Sequence, residues 1–337
     1  MQTARPSAIV ALAAALVACH GKTDAAAGPG ADQRRDLAAL GKRVRGYVVW
    51  ESNRTGNWEL YRMNTDGSGF VRLTSLKQQL GRARFRGYMR PRPSPDGEVI
   101  LFAYSSESRC EVWIARASGG PAARLTKGNP LNWSCDGRFI YFVRDHRVWR
   151  RAVATGTEQK ISESRVPAGG DDGHMVGAVR WDLRAAVFRT RKNEYVNLAT
   201  GKVEKTTGGC EPGFTADGKF MYWVNKPRHF RVWHIGRNKE WEYFGTPPTK
   251  PCDYTYFPTI SADRRWLTYG ASPGQHNHSS SDYEIFIQEL RDWKPVGGPV
   301  RLSWHKRTDR WPALHVFTDG TKPASTRETP GDGPCRY

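Results

Sequence analysis

Arg92-Pro-Ser-Pro-Asp-Gly-Glu-Val-Ile-Leu-Phe-Ala-Tyr104 decides the fold. Asp-Gly suits a tight hairpin, because Asp can hydrogen-bond its own backbone and Gly takes a positive φ without steric cost. The run behind it, 98–104, is aromatic and β-branched, as a buried strand should be. Relatives of the turn recur at Trp133-Ser-Cys-Asp-Gly137, Trp181-Asp182, Phe214-Thr-Ala-Asp-Gly218 and Thr259-Ile-Ser-Ala-Asp-Arg264. The aligned residues Asp96, Asp136, Asp182, Asp217 and Asp263 stand 40, 46, 35 and 46 residues apart. That is the length of a four-stranded propeller blade.

The strands repeat with the turns. First strands are expected at 46–52, 98–104, 138–144, 184–190, 219–225 and 265–271. Second strands follow at 58–63, 111–115, 147–151, 194–198, 231–235 and 283–290. Such a small sheet carries apolar side chains on both faces and must be covered by neighbours, which a closed ring does for every sheet at once. The 13 Trp residues supply bulk for those contacts. The reading is all-β: a six-bladed β-propeller of four-stranded antiparallel blades over 46–317. The unit beginning at Gly46 lacks its own innermost strand, and Asp309-Arg-Trp-Pro-Ala-Leu-His-Val316 resembles one with no blade after it. The C-terminal strand therefore joins blade 1 and fastens the ring, an open or seven-bladed ring being the alternative.

The N-terminus carries a different pattern. Arg5 precedes an unbroken apolar run over 8–18, which ends in Leu16-Val-Ala-Cys19. A charged start, a short hydrophobic stretch and small residues before a cut mark an export signal rather than a membrane helix. The tetrapeptide resembles the bacterial lipobox, which implies a signal peptide over 1–18 and lipidation at Cys19, the alternative being an ordinary cleaved signal. Several acyl chains anchor stably where one would not. His20 is not the Asp that favours inner-membrane retention, so the resemblance implies the outer membrane, facing the periplasm or the cell surface. Residues 19–45 are read as the lipidated Cys and a flexible tether, and 318–337 as a disordered tail.

Export places the remaining cysteines, Cys110, Cys135, Cys210, Cys252 and Cys335, where disulfides persist. Either Cys110 with Cys135 or Cys210 with Cys252 could bridge neighbouring units. No pair has the Cys-x-x-Cys spacing of a redox or zinc site. The formal charge of +19 falls to +18 once Arg5 leaves with the signal. A field of that sign attracts anionic partners, such as an acidic protein or an anionic glycan, although scattered basic residues also serve solubility alone. Nucleic acid is excluded as a partner by export, and membrane contact is expected through the lipid anchor only. A monomer is expected.

Arg92-Pro-Ser-Pro-Asp-Gly97 with Ile100-Leu-Phe102, the Asn64-Thr-Asp-Gly-Ser68 turn and the closes Arg72-Leu-Thr74 and Arg124-Leu-Thr126 resemble the WD40-like repeat of TolB-type periplasmic propellers. The similarity covers about residues 46–316. It implies six blades and a role in docking cell-envelope proteins rather than catalysis. The chain departs from that family by its lipobox and by lacking an α/β domain ahead of the propeller, so the scaffold transfers and the family's partnership does not.

Catalytic motifs are missing: there is no Gly-x-Ser-x-Gly elbow, His-Glu-x-x-His helix or phosphate-cradling glycine loop. Arg90, Arg92 and Arg310 stand near inner strands, which line a propeller's channel. There they could bind an anionic ligand or a carboxylate terminus, or pair with an Asp of an adjacent blade. Asn132, Arg180 and Asp309 occupy comparable places. No cofactor is expected unless His276, His278 and Asp282 hold a divalent metal, the competing view being a solvated polar loop. Asp171-Asp-Gly-His174 raises the same question, and Asn53-Arg-Thr-Gly-Asn57 reads as an exposed hairpin connection. The principal expectation is a non-catalytic binding platform for protein, peptide or anionic glycan in the cell envelope. The enzymatic alternative is a metal-dependent lyase or hydrolase acting on acidic polysaccharide.

Overall fold

The computed structural model describes residues 29–76, 87–106, 110–166, 177–189, 191–226, 229–243, 252, 254–274 and 277–318. They form six four-stranded antiparallel sheets arranged in a ring. The innermost strands are Asp309–Val316 in blade 1, Gly87–Pro93 in blade 2, Asn129–Trp133 in blade 3, Gly177–Val179 in blade 4, Cys210–Phe214 in blade 5 and Tyr254–Ile260 in blade 6. Blade 1 takes its inner strand from the C-terminal end of the ring: Asp309–Val316 pairs with Gly46–Ser52, with His315 opposite Tyr47 and Arg310 opposite Glu51. Closure by the last strand is as the sequence indicates.

The repeated turn works as its residues dictate. In blade 2 the Ser94 hydroxyl donates to Asp96 Oδ1 at 2.5 Å and accepts from Val99 N, while Asp96 also accepts from Glu98 N. Blade 3 repeats this with Ser134 and Asp136, blade 5 with Thr215 and Asp217, and blade 6 with Ser261 and Asp263. Gly97 and Gly137 sit at φ 73° and 70°, where a Cβ would be strained. Leu183 and Arg264 hold the matching position at φ 58° and 60° without that freedom.

The Leu-Thr close has an equally local cause. A Glu at the start of the third strand from the channel, Glu59–Asn64 in blade 1 and Glu284–Arg291 in blade 6, sits beneath it: Glu59 accepts from the Thr74 hydroxyl at 2.5 Å and from Arg72 at 3.0 Å, and Glu284 accepts from the Ser303 hydroxyl and pairs with Arg301. The Arg-Leu-Thr/Ser pattern thus places a charge partner and a hydroxyl on one buried carboxylate. Burial costs less when every lone pair is used.

Packing runs between blades. Trp50, Trp58, Trp223, Phe102, Phe142 and Phe188 are wholly enclosed. One apolar cluster spans blades 5 and 6, another blades 3 and 4, and a third joins blade 6 to blade 1.

That third cluster corrects the reading of residues up to 45 as a tether. Ala31–Arg43 is a helix, and Leu37, Leu40 and Val44 are buried against Trp50, Trp266, Ile285 and Leu302. Arg43 adds an ion pair with Glu289 and lies over the Trp266 ring. Leu37 and Leu40 lie on one helical face and Val44 follows at the extended C-cap, a short apolar signal that a polar overall composition conceals. The segment 53–57 is a hairpin connection but not an exposed one: Asn53 and Asn57 are buried, and Asn53 accepts from Thr308 N and donates to Ser279 O. Neither inter-blade disulfide forms, since Cys110, Cys210 and Cys252 are thiols; Cys135 is a half-cystine. The signal, Cys19, Cys335 and residues 319–337 lie outside the described residues. Among the described residues no helix is long and apolar enough to cross a membrane.

Candidate functional site

The channel-lining residues are set by a second repeat inside the inner strands. Arg90, Glu211, Phe257 and Trp311 each precede a proline and each adopt a left-handed backbone, at φ 55°, 55°, 56° and 54°. Proline has no N–H to give the ladder, so pairing breaks there, and the register shifts between Met89 and Arg92, between Cys210 and Gly213, and between Tyr256 and Thr259. Blade 1 shifts at the same place, between the partners of Val49 and Glu51. A bulge of this kind re-aims one side chain. Each left-handed non-glycine residue costs about 1–3 kcal/mol, a cost that clusters at functional positions.

Three of the re-aimed side chains, from blades 6, 1 and 2, stack in series. Phe257 lies 5.0 Å from the Trp311 ring, and the Arg90 guanidinium lies 4.8 Å above Trp311. Glu211 approaches from blade 5. Between them Arg310, 1% exposed, donates to Glu51 Oε1 and to His278 O and lies 3.6 Å over Trp58. The Arg90 N–H donates to the other Glu51 oxygen at 2.6 Å. Arg92 reaches past blade 3 to donate to Gly177 O of blade 4 at 3.3 Å. Arg189 of blade 4 donates to Cys210 Sγ at 3.4 Å.

The electrostatics follow from burial. Enclosure lowers the pKa of Arg90, against the attraction of Glu211 and Glu51, and lowers that of Arg92 likewise. Enclosure pushes the Glu211 carboxyl up to about 7, opposed by Arg90, Arg189 and Arg310. Glu51 is also raised by burial, with Arg310 pulling the other way. Glu211 Oε2 is buried and accepts no hydrogen bond. Four guanidinium groups thus share the channel centre with two carboxylates.

Among the sequence-predicted residues, Arg90, Arg92 and Arg310 come together in this cluster. The others serve the blades. Asn132 accepts from Val179 N at 2.8 Å and donates to Val179 O, tying blade 3 to blade 4. Arg180 forms an ion pair with Asp182 and donates to the Tyr195 hydroxyl. Asp309 holds Arg54 through both carboxylate oxygens, at 2.8 and 3.1 Å, across the closure seam. His278 is 7% exposed and packs among Tyr256, Phe257 and Tyr283. Burial raises the Asp282 pKa, and its Oδ1 accepts no hydrogen bond. His276, Asp171, Asp172 and His174 lie outside the described residues. Among the described residues no group of three His, Cys, Asp or Glu side chains could hold a metal ion.

Sequence reasoning missed Glu51, Arg189, Glu211 and Trp311. For Glu211 and Trp311 the signal was available as an X-Pro pair, which stands five or six residues before the Asp of the turn in Arg90-Pro91, Glu211-Pro212 and Phe257-Pro258 and recurs as Trp311-Pro312 in the closing strand; Glu51 and Arg189 carry no such signal.

No protein-family model and no curated protein matches the sequence. Solved structures do resemble it. TolB from Acinetobacter baumannii superposes with a TM-score of 0.56 at 15% identity, over 80% of this chain and 66% of that one. A chain of the nidogen/laminin complex superposes with a TM-score of 0.52 at 11% identity, over 80% of this chain and 98% of that one. This chain therefore spans about two thirds of the TolB chain's length. The likeness shows a TolB-like β-propeller fold.

Proposed function

We propose that the chain is an exported, lipid-anchored propeller of the cell envelope that holds an acidic partner (a protein, peptide or anionic glycan) at the mouth of its channel. The excess of guanidinium over carboxylate at the channel centre carries the reading. The four Arg side chains are supplied by three different blades, so a ligand seated there touches the ring rather than one sheet. The net charge, +19 for the full chain and +18 without Arg5 of the signal, supports it by steering anions toward the protein. The nidogen/laminin assembly supports it by showing a propeller of similar shape in a protein complex. Leu16-Val-Ala-Cys19 supports export and anchoring, and His20, in place of a retention Asp, supports the outer membrane.

Envelope extract passed over the full chain carrying Cys19→Ser tests the platform. The expected result is one dominant acidic partner, released as salt rises and lost when Arg90 and Arg92 are both replaced by Gln in a chain that still melts cooperatively. Equal capture by both chains, or turnover of polygalacturonate with a stoichiometric divalent metal, overturns the reading. Anchoring has its own test: metabolic labelling with a palmitate analogue should mark the wild-type chain and not Cys19→Ala, and equal labelling refutes it.

A further inference from the structure

Glu211 is faced from every blade but one by charged or titratable groups. Arg90 and Arg92 come from blade 2, Arg189 from blade 4, Arg310 and Glu51 from blade 1, and Tyr256 and Tyr283 from blade 6, with Cys210 beside it on its own strand. The two carboxylates in this cluster are not equivalent. Glu51 has both oxygens engaged, one by Arg310 Nε and one by the Arg90 N–H. Glu211 is only 8% exposed, yet its Oε2 accepts nothing. A buried acceptor left open costs about 1–3 kcal/mol. The left-handed backbone at Glu211 and Arg90 adds to that cost while aiming both side chains into the channel.

A ligand carboxylate answers both features. Its oxygens would accept from the guanidinium groups, which favour planar two-oxygen anions. Its charge would also repel an ionised Glu211, and two carboxyls sharing a site avoid that by keeping one proton between them. We propose that the channel centre binds one carboxylate group together with one proton, the carboxylate accepting from Arg90 and Arg189 and Glu211 holding the proton as donor to it. This rests on the platform reading of the same site and adds its ligand chemistry and its response to pH. A peptide C-terminus and a uronic acid both offer the group. Above about pH 7 Glu211 takes the proton from solvent as the site fills and returns it when the site empties, whereas below about pH 7 it carries the proton throughout.

Calorimetric titration of the full chain carrying Cys19→Ser with trialanine and with galacturonic acid tests this. Trialanine amide and methyl galacturonate serve as neutral controls. The acid forms should bind and the neutral forms should not, and whichever acid binds identifies the source. Glu211 takes up its proton from solvent only above about pH 7, so affinity should fall about tenfold from about pH 6 to about pH 8. Titrations in two buffers of different ionisation enthalpy should count about one proton taken up at the higher pH. Glu211→Gln mimics the protonated donor and should make binding independent of pH at the tight limit. Arg189→Gln, on the half-buried rim of the cluster, should weaken binding at both pH values without unfolding the chain. Carboxylate binding that is flat with pH in the wild type and unaltered by Glu211→Gln overturns the proton coupling and leaves the platform standing. Failure of both acids at both pH values overturns the carboxylate site, whereas the platform itself stands or falls on partner capture from envelope extract.

Discussion

Arg310 ties three blades at the closure seam, and replacing it with Met should expose how much that seam is worth. Arg310 donates to Glu51 within blade 1, to the His278 carbonyl of blade 6, and to Met89 Sδ of blade 2 at 3.9 Å, and it covers the Trp58 ring. Three losses follow in Arg310→Met. The enclosed contact with Trp58 is worth about 2 kcal/mol. A buried carbonyl left without its donor costs about 1–3 kcal/mol, in part offset by the packing of Met. Glu51, 0% exposed, is left with an uncompensated charge that it can escape by taking a proton. From an ordinary value of 4.5, protonation at pH 7 costs about 3 kcal/mol, which caps that part of the penalty. With about 1 kcal/mol left for the carbonyl after that offset, the sum is about 6 kcal/mol at pH 7. At pH 5 neutralising Glu51 costs less than about 1 kcal/mol, so the sum should fall to about 4 kcal/mol. Equilibrium urea unfolding at the two pH values measures both numbers, and Glu51→Gln combined with Arg310→Met should recover about 3 kcal/mol at pH 7. A loss under about 1 kcal/mol, or a loss equal at the two pH values, refutes this account of the seam.

Burial makes further predictions about stability. Glu211 has its folded pKa raised, so its contribution is intact below about 4.5 and is lost as pH rises to about 7; Glu211→Gln should therefore gain about 3 kcal/mol on the wild type above pH 7 in the same unfolding assay. His315 has the opposite sign: burial holds its pKa down to about 4, so its contribution is intact above about 6.5 and is lost as pH falls to 4, and His315→Leu should flatten the acid limb of a melting-temperature profile. Gly97→Ala and Gly137→Ala pay the same left-handed cost of about 1–2 kcal/mol, but a Cβ at 97 meets the His315 ring at 2.3 Å and one at 137 meets only Pro95 at 3.7 Å. Gly97→Ala should thus be clearly the worse of the two by thermal melting, and equal losses contradict the contact. Thr74→Val removes the hydroxyl between Glu59 and the Leu60 N–H, for a loss of about 1–3 kcal/mol by urea unfolding.

The ring was legible because its devices are local. A Ser-x-Asp-Gly turn closes within six residues, and a strand that must be buried on both faces announces itself by Ile100-Leu-Phe102 or Phe139-Ile-Tyr141 without reference to anything distant. Closure was legible for the same reason, since Asp309–Val316 carries the inner-strand pattern that the unit beginning at Gly46 lacks. The helix Ala31–Arg43 was not, because Leu37, Leu40 and Val44 are three apolar residues among charges, and only the facing Trp266 and Ile285 make them a buried face. The channel cluster was half legible. Arg90, Arg92 and Arg310 could be placed near the axis by strand position, but Glu211 faces them across the ring, and Arg189 enters from Ala185–Arg189, the strand next to an inner one. Contacts across a closed ring have no spacing in sequence. What sequence does carry is the X-Pro pair that aims Arg90 and Glu211 inward.

Closure and channel chemistry are the same residues. The strand Asp309–Val316 fastens the ring through its pairing with Gly46–Ser52, and it also supplies Arg310 and Trp311 to the channel centre. Whatever binds there meets a site that exists only while the ring is shut, because detaching that strand removes Arg310 from Glu51 and Trp311 from Arg90 together. By mass action a ligand that binds only the closed ring stabilises closure, by about 2.7 kcal/mol at a hundredfold excess over its dissociation constant. Amide exchange in Asp309–Val316 should slow about a hundredfold under those conditions if the strand opens without the rest of blade 1. Exchange in Val71–Arg72, the outer edge of the same blade, should not change, since its opening leaves the channel intact. Equal protection of the two strands would mean that blade 1 opens as a unit and that the last strand is not a separate latch.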